Sequence, residues 1–359
     1  MRIHQLVVSA SRGDAITNAA LQMRELFRQV GSSEIYARYF DASLDGDVVA
    51  LKDYRANANA MPENDIICYH ASIGEPDVLS FILDRPEQLV VIYHNISPPG
   101  PFRAYDPAFA GLLDAGRREL AQLAGRARMA LADSEYNAAE LRALGYRDVR
   151  VSSLIIDTGR LCDIEPDADK THHLTAAVKG PMLLFVGQLL PHKRPDLLLK
   201  AFHVLVTYLL PEAHLTLVGA GRLPAYRRAL DSYIRELNLG TAWITGAVSD
   251  AELAAFYRRA DVFVTASEHE GFCVPLVEAM AFGVPVVARR FAAIPETLGD
   301  AGLVVPPDDD PLLLAEALAV VATDDAVRTG ITAGVESRLA HYAPDAARAS
   351  LLANLLEIA

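Results

Sequence analysis

Apolar and polar positions fall in blocks along the chain: a short apolar run, a turn, then a longer amphipathic stretch, many times over. Ile3–Ala10 reads as a strand. Ile16–Gln29 reads as a helix, with Ile16, Ala19, Ala20, Met23, Leu26 and Phe27 at helical spacing. Ile35–Phe40 and Asp65–Tyr69 are strand-like, Val78–Asp84 is helix-like, and Leu89–Tyr93 is a buried strand. Asp106–Gly125 predicts a long helix, Met129–Ala132 a short strand, Asn137–Leu144 a helix stopped by Gly145, and Val149–Ile155 a further strand. The pattern breaks at Asp163–Lys179, which is polar, carries Pro166 and has no sheet periodicity, so it reads as a linker.

The alternation then restarts. Met182–Val186, Leu215–Val218, Ala242–Thr245, Val262–Ala266 and Val284–Ala288 read as strands. Between and after them, Pro195–Leu209, Tyr226–Leu237, Asp250–Ala260, Pro275–Phe282 and Pro311–Ala322 read as helices, the last opened by Asp310-Pro311. Near-continuous apolar strands alternating with helices predict parallel sheets covered on both faces. The expected fold class is α/β, two doubly wound Rossmann-like domains facing across a cleft. Residues 1–165 form the first and 176–342 the second, and a final helix within 343–359 can pack back across the linker. Such folds bind ligands beyond the carboxyl ends of their strands.

Composition narrows the function. Of 359 residues, 33 are Lys or Arg and 46 are Asp or Glu, a net charge of −13, which excludes a general nucleic-acid binder. The cysteines Cys68, Cys162 and Cys273 are scattered and form no C-x-x-C, so neither a disulfide framework nor a cysteine zinc site is expected, and a reducing cytoplasm suits them. The N-terminus is a poor signal peptide, and no apolar run is long enough to span a membrane. Arg117, Arg118, Arg126 and Arg128 could touch anionic lipid, against the plainer reading of a solvated helix face, so at most peripheral contact at the inner membrane face is expected.

The chemistry concentrates in Ser267–Met280 (SEHEGFCVPLVEAM), where a strand ends in a loop and a helix begins near Pro275. Glu270 and Glu278 flank that turn. A helix N-terminus suits a phosphate, whereas carboxylates suit hydroxyls, so the pair suggests a ligand with both phosphate and sugar. As a lone pair of acids, a turn cap and a solvated helix residue would be the better account. Lys193 and Arg194 in FVGQLLPHKRPD can neutralise a diphosphate, although two loop bases are more often simply solvated. The first turn, SASRGDAITN, fails both G-x-G-x-x-G and the P-loop pattern. His94 lies beyond a central strand, where a site histidine and a structural one are equally well placed, and His70 has the same placement with a weaker claim. His172 and His173 fall in the presumed linker. Glu268, His269 and Glu270 are adjacent and point different ways, so no metal site is expected.

These residues resemble the retaining family 4 glycosyltransferases of GT-B fold. The E-x7-E motif, Glu270-GFCVPLV-Glu278, carries the resemblance, together with FVGQLLPHKRPDLLLKAF, LTLVGAGR, ITGAVSDAELAAFYRRADVFV and IPETLGDAGLVVPPDD. Residues 181–340 match nearly throughout. The first half matches more loosely, through GDAITN, YHNISPP, ADSEYNAAELRALGY and VSSLIIDTGRL.

The resemblance implies a nucleotide diphosphate sugar of UDP or GDP type as donor substrate, no cofactor, no metal, and a hexosyl unit moved to a glycan, lipid-linked or small-molecule acceptor. Glu278 would hold the ribose. Glu270 would hold the donor sugar, helped by backbone N–H groups from Gly271, Phe272 and Cys273. Lys193 would bind the diphosphate, His94 would touch the donor sugar, and Gly13 would approach the diphosphate or acceptor. The family commonly has Arg where this chain has Gln188, and Arg194 is the expected substitute. An epimerase on the same fold, or a non-catalytic nucleotide-sugar-binding subunit, are the alternatives.

Overall fold

The computed structural model describes residues 1–54 and 65–358. The chain divides into two units. The first comprises residues 1–100, 107–155 and 342–359, and the second 101–106 and 156–341.

The first unit is built on seven parallel strands: β1 (Ile3–Ala10), β2 (Ile35–Phe40), β3 (Val48–Ala50), β4 (Ile66–Ala71), β5 (Gln88–Tyr93), β6 (Met129–Ala132) and β7 (Val149–Val151). Their spatial order is β3-β2-β1-β4-β5-β6-β7. The second sheet has six: β8 (Met182–Val186), β9 (His214–Val218), β10 (Ala242–Gly246), β11 (Val262–Thr265), β12 (Val286–Arg289) and β13 (Leu303–Val305). Their order is β10-β9-β8-β11-β12-β13. In each sheet the order reverses beside the first strand, between β1 and β4 and between β8 and β11. There the loops leaving two neighbouring strands diverge and open a crevice at the carboxyl ends.

The strand cores explain the apolar runs. Leu183, Leu184, Val262 and Phe263 are fully buried where β8 and β11 pair, Val262 opposite Leu183 and Phe263 opposite Leu184. The C-terminal helix Pro344–Leu356 belongs to the first unit. Its Ala347, Leu351 and Leu355 share one core with Ile3, Phe27, Ile66, Val90 and Met129. Burying each of those leucines contributes about 2 kcal/mol.

Several local expectations are corrected. The segment read as a linker contains the helix Ala168–Ala177, capped by the Asp167 carboxylate on the Lys170 N–H. Leu174 is its one buried residue, so no apolar stripe marked it in the sequence. Strands β3 and β13 are three residues each, too short for a period-2 signal. The expected strand Val149–Ile155 stops at Val151, and the helix expected over Pro195–Leu209 turns into a π-helical segment at Leu205–Leu209. Among the described residues no helix is long and apolar enough to cross a membrane. Arg117 is bonded to Glu140 and the Ile96 carbonyl, and Arg126 to the Arg85 and Glu87 carbonyls. Two of the four arginines weighed as lipid contacts are therefore committed to the protein itself.

Candidate active site

In the second unit the loops after β8 and β11 meet at the switch point. β8 ends at Val186, and Gly187 turns the chain away with its N–H on the Val218 carbonyl. The fit with the loop after β9 is tight: a Cβ on Gly219 would lie 1.9 Å from the Gly187 carbonyl oxygen, so Gly219 has to be glycine. A single helical turn, Pro191–Lys193, then carries Lys193 to the switch. The Glu268 N–H donates to the His192 carbonyl at 2.8 Å, joining the two loops through backbone.

Lys193 Nζ lies 2.5 Å from Glu270 Oε1, with the carboxylate only 9% exposed. Burial alone would lower the Lys193 ammonium, but Glu270 offsets this and holds the ammonium above its ordinary value. Burial, then Glu270, pushes the Cys273 thiol well up, so it stays neutral beside the pair. Burial, with Lys193 and His269 nearby, drives His192 well down, so no second cation sits against Lys193.

Cys273 is the N-cap of the helix Val274–Ala281, in left-handed backbone with φ of 77°. Arg194 (φ 52°), and Asn95 beside His94 (φ 75°), share that conformation. Each non-glycine residue held there costs roughly 1 kcal/mol or more, and such strain gathers at functional sites. Phe272 is anchored from behind, its carbonyl accepting the Thr297 hydroxyl at 2.5 Å. One turn into the helix, Glu278 Oε2 accepts the Tyr257 hydroxyl at 2.8 Å. Burial raises the Glu278 carboxyl above its ordinary value despite that bond.

Arg194 is held among acids. Its guanidinium binds Asp196, Glu268 and Asp309. Asp309 also takes Arg289 at 2.5 Å, and the two arginines hold its carboxyl below its ordinary value in spite of burial. Arg194 is thus shared among three carboxylates and Lys193 with one. Arg194→Ala should lower stability by about 1–2 kcal/mol, because three carboxylates would then face one another. Donor affinity should change less than about threefold. Thermal melts with and without salt, beside a donor titration, check both. A large loss of donor affinity at unchanged stability would restore the clamp role. Gln188 makes no side-chain hydrogen bond among the described residues.

A pocket lined by Tyr105, Pro191, Arg194, Asp196, Tyr226 and Tyr233 opens beside this loop and includes neither Glu270 nor Glu278. Among the described residues no three metal-binding side chains gather.

In the first unit, His94 follows β5 with both ring nitrogens engaged. Nε2 lies 2.8 Å from His70 Nδ1, and Nδ1 lies 2.9 Å from Asp133 Oδ2. Gly13 has φ of 78°, and a Cβ there would meet nothing within 4 Å, so the turn before the helix Ala15–Phe27 is open. His172 and His173 are exposed on the Ala168–Ala177 helix. Tyr257, Arg289 and Asp309 had not been singled out. Asp309 sits in PPDDD, whose run of acids was a usable signal; the other two carried none.

Residues 169–334 match the family model described as Glycosyl transferases group 1. The chain is 37% identical over 146 residues to O-antigen chain mannosyltransferase B of Escherichia coli, 39% of this chain and 37% of that protein. It is 37% identical over 126 residues to the GDP-mannose-dependent alpha-mannosyltransferase of Mycolicibacterium smegmatis, 35% and 28% of the two chains. The matched region thus spans less than half the length of these relatives. Sucrose-phosphate synthase from Thermosynechococcus elongatus superposes with a TM-score of 0.77 at 19% identity, covering 100% of both chains. HepE from Anabaena, solved with UDP-glucose, gives 0.76 at 18% identity, covering 99% and 100%. The switch-point site of the second unit therefore lies within the stretch that matches the Glycosyl transferases group 1 model, and the two parallel sheets are those of the GT-B fold.

Proposed function

We propose that the protein transfers a hexosyl unit from a nucleotide diphosphate sugar to an acceptor hydroxyl, with retention of configuration and without a metal. The observation that carries this is the buried Lys193–Glu270 pair at the switch point of the second sheet, inside the group 1 domain. Charge builds on the diphosphate as the glycosidic bond breaks. Lys193 and the N-terminus of the Val274–Ala281 helix supply the opposing potential at that place. Glu270 takes hydroxyls of the donor sugar, with the backbone of Gly271, Phe272 and Cys273. Glu278 takes the ribose hydroxyls on Oε1, which carries no bond from the described residues, while Tyr257 fixes Oε2. Gly13 leaves room for the diphosphate or acceptor, and His94 is assigned to the donor sugar. The departing phosphate accepts the acceptor's proton.

The mannosyltransferase names among the relatives and the UDP-glucose complex of HepE support GDP-mannose and UDP-glucose as first donors to try. The acceptor is a glycan, a lipid-linked sugar or a small molecule. We place the reaction in the cytoplasm, with at most peripheral membrane contact.

A thermal-shift screen of UDP-, GDP- and dTDP-sugars tests the reading. One donor at 100 times its dissociation constant should stabilise the fold by about 2.7 kcal/mol. No shift with any of them at millimolar concentration would overturn it.

A further inference from the structure

A chain of four side chains crosses the first sheet beneath its carboxyl edge. Gln5 on β1 donates from Nε2 to the Ala20 carbonyl at 2.9 Å, which turns its Oε1 toward His70 Nε2 at 2.9 Å. His70 on β4 presents Nδ1 to His94 Nε2, and His94 presents Nδ1 to Asp133 beyond β6. Gln5 and His70 are fully buried, and Asp133 is nearly so. The two imidazoles lie nearly parallel, 15° apart.

The protons of this chain can be counted. Gln5 Oε1 only accepts, so His70 Nε2 carries a proton. Burial, then His94, drives the His70 imidazole well down, so His70 is neutral and its Nδ1 is a bare lone pair. His94 Nε2 must therefore donate. At its other nitrogen His94 faces a carboxylate oxygen at 2.9 Å, and a bare lone pair there would oppose it in a nearly buried pair. The second proton belongs on the imidazole, which is a stronger base than a carboxylate.

We infer that Gln5, His70 and Asp133 hold His94 as a doubly protonated imidazolium, which makes them positioning residues and leaves His94 no lone pair with which to act as a base. The protonation stands on the first unit alone; its consequence for catalysis rests on the reading of His94 as the group that faces the donor sugar. Among the described residues no further charged group bonds the His94 ring, and Glu140 is taken by Tyr93 and Arg117. Asn95 Nδ2 donates to Asn137 Oδ1.

Histidine-selective 15N labelling of the full chain tests this, with the His94 signals assigned through His94→Gln. At pH 7.5 both His94 nitrogens should resonate as protonated, and His70 as the neutral Nε2–H form. The isosteric Asp133→Asn should cost His94 one proton, and Gln5→Leu should release the His70 tautomer. A His94 with one bare nitrogen in the wild type overturns the inference, as does a His94 pattern unchanged in Asp133→Asn. With the donor found by the thermal screen, Asp133→Asn should lower kcat about tenfold with the donor KM within threefold. Wild-type kcat between pH 6 and 9 would overturn the catalytic consequence. The spectra need no turnover, so they read the protonation even if no donor is transferred, an outcome that would count against the proposed function instead.

Discussion

Lys193→Ala and Glu270→Ala should each lower glycosyl transfer by about a hundred- to a thousandfold, the range seen when one charge-stabilising group is removed from a preorganised site. Their effects on stability should differ. Without Lys193, a carboxylate that is 9% exposed is left with no counter-charge, and the fold should lose about 2–3 kcal/mol. Without Glu270, the ammonium loses the partner that held it up, and burial pulls it down toward neutrality, a less costly relaxation. The double variant Lys193→Met with Glu270→Leu should melt above Lys193→Ala and remain inactive, because the buried charge is gone along with the chemistry. Initial rates and melting curves of the four proteins check this. Wild-type transfer by Glu270→Ala would remove the pair from the site.

The sign of the Lys193 contribution also follows. Its folded value lies above its unfolded one, so the pair's stabilisation is present below pH about 10.5 and is lost as pH rises through the folded value.

The second sheet was easy to find in the sequence for a physical reason. Strands such as Met182–Val186 and Val262–Thr265 are buried on both faces, so they appear as unbroken apolar runs between turn residues. The helix at Ala168–Ala177 escaped because Leu174 is its one buried residue, so no apolar stripe marks it. At the site, Glu270, Glu278 and Lys193 stood out by their spacing around strand ends. What spacing could not give was how each charge is spent. Arg194 and Lys193 are neighbours in the chain, yet one is tied to three carboxylates and the other to one. Those partners arrive from 74 to 115 residues away, as Glu268 and Asp309. The Gln5–His70–His94–Asp133 chain is hidden for the same reason, since its members sit on or just past four neighbouring strands and leave no local pattern.

Glu278→Gln should separate stability from function. The Glu278 carboxyl is raised by burial, so its folded value lies above its unfolded one. Such a group binds its proton more tightly in the folded state, and its ionisation weakens the fold as pH rises through that interval. The ionised wild type bears that penalty, and the neutral amide removes it. The variant should melt roughly 1–3 °C above the wild type at pH 7.5, with the gap closing near pH 4, where both side chains are uncharged. Donor affinity should move the other way. Hydrogen bonds to a charged acceptor are worth about 1.5–3 kcal/mol each, so donor binding should weaken about ten- to a hundredfold. In the wild type the same protonation should weaken donor binding as pH falls, earlier than an ordinary carboxylate would, and Glu278→Gln should flatten that limb. A variant that binds donor as the wild type does would take the ribose away from Glu278. A variant less stable at pH 7.5 would mean that the Tyr257 bond to the carboxylate outweighs its burial.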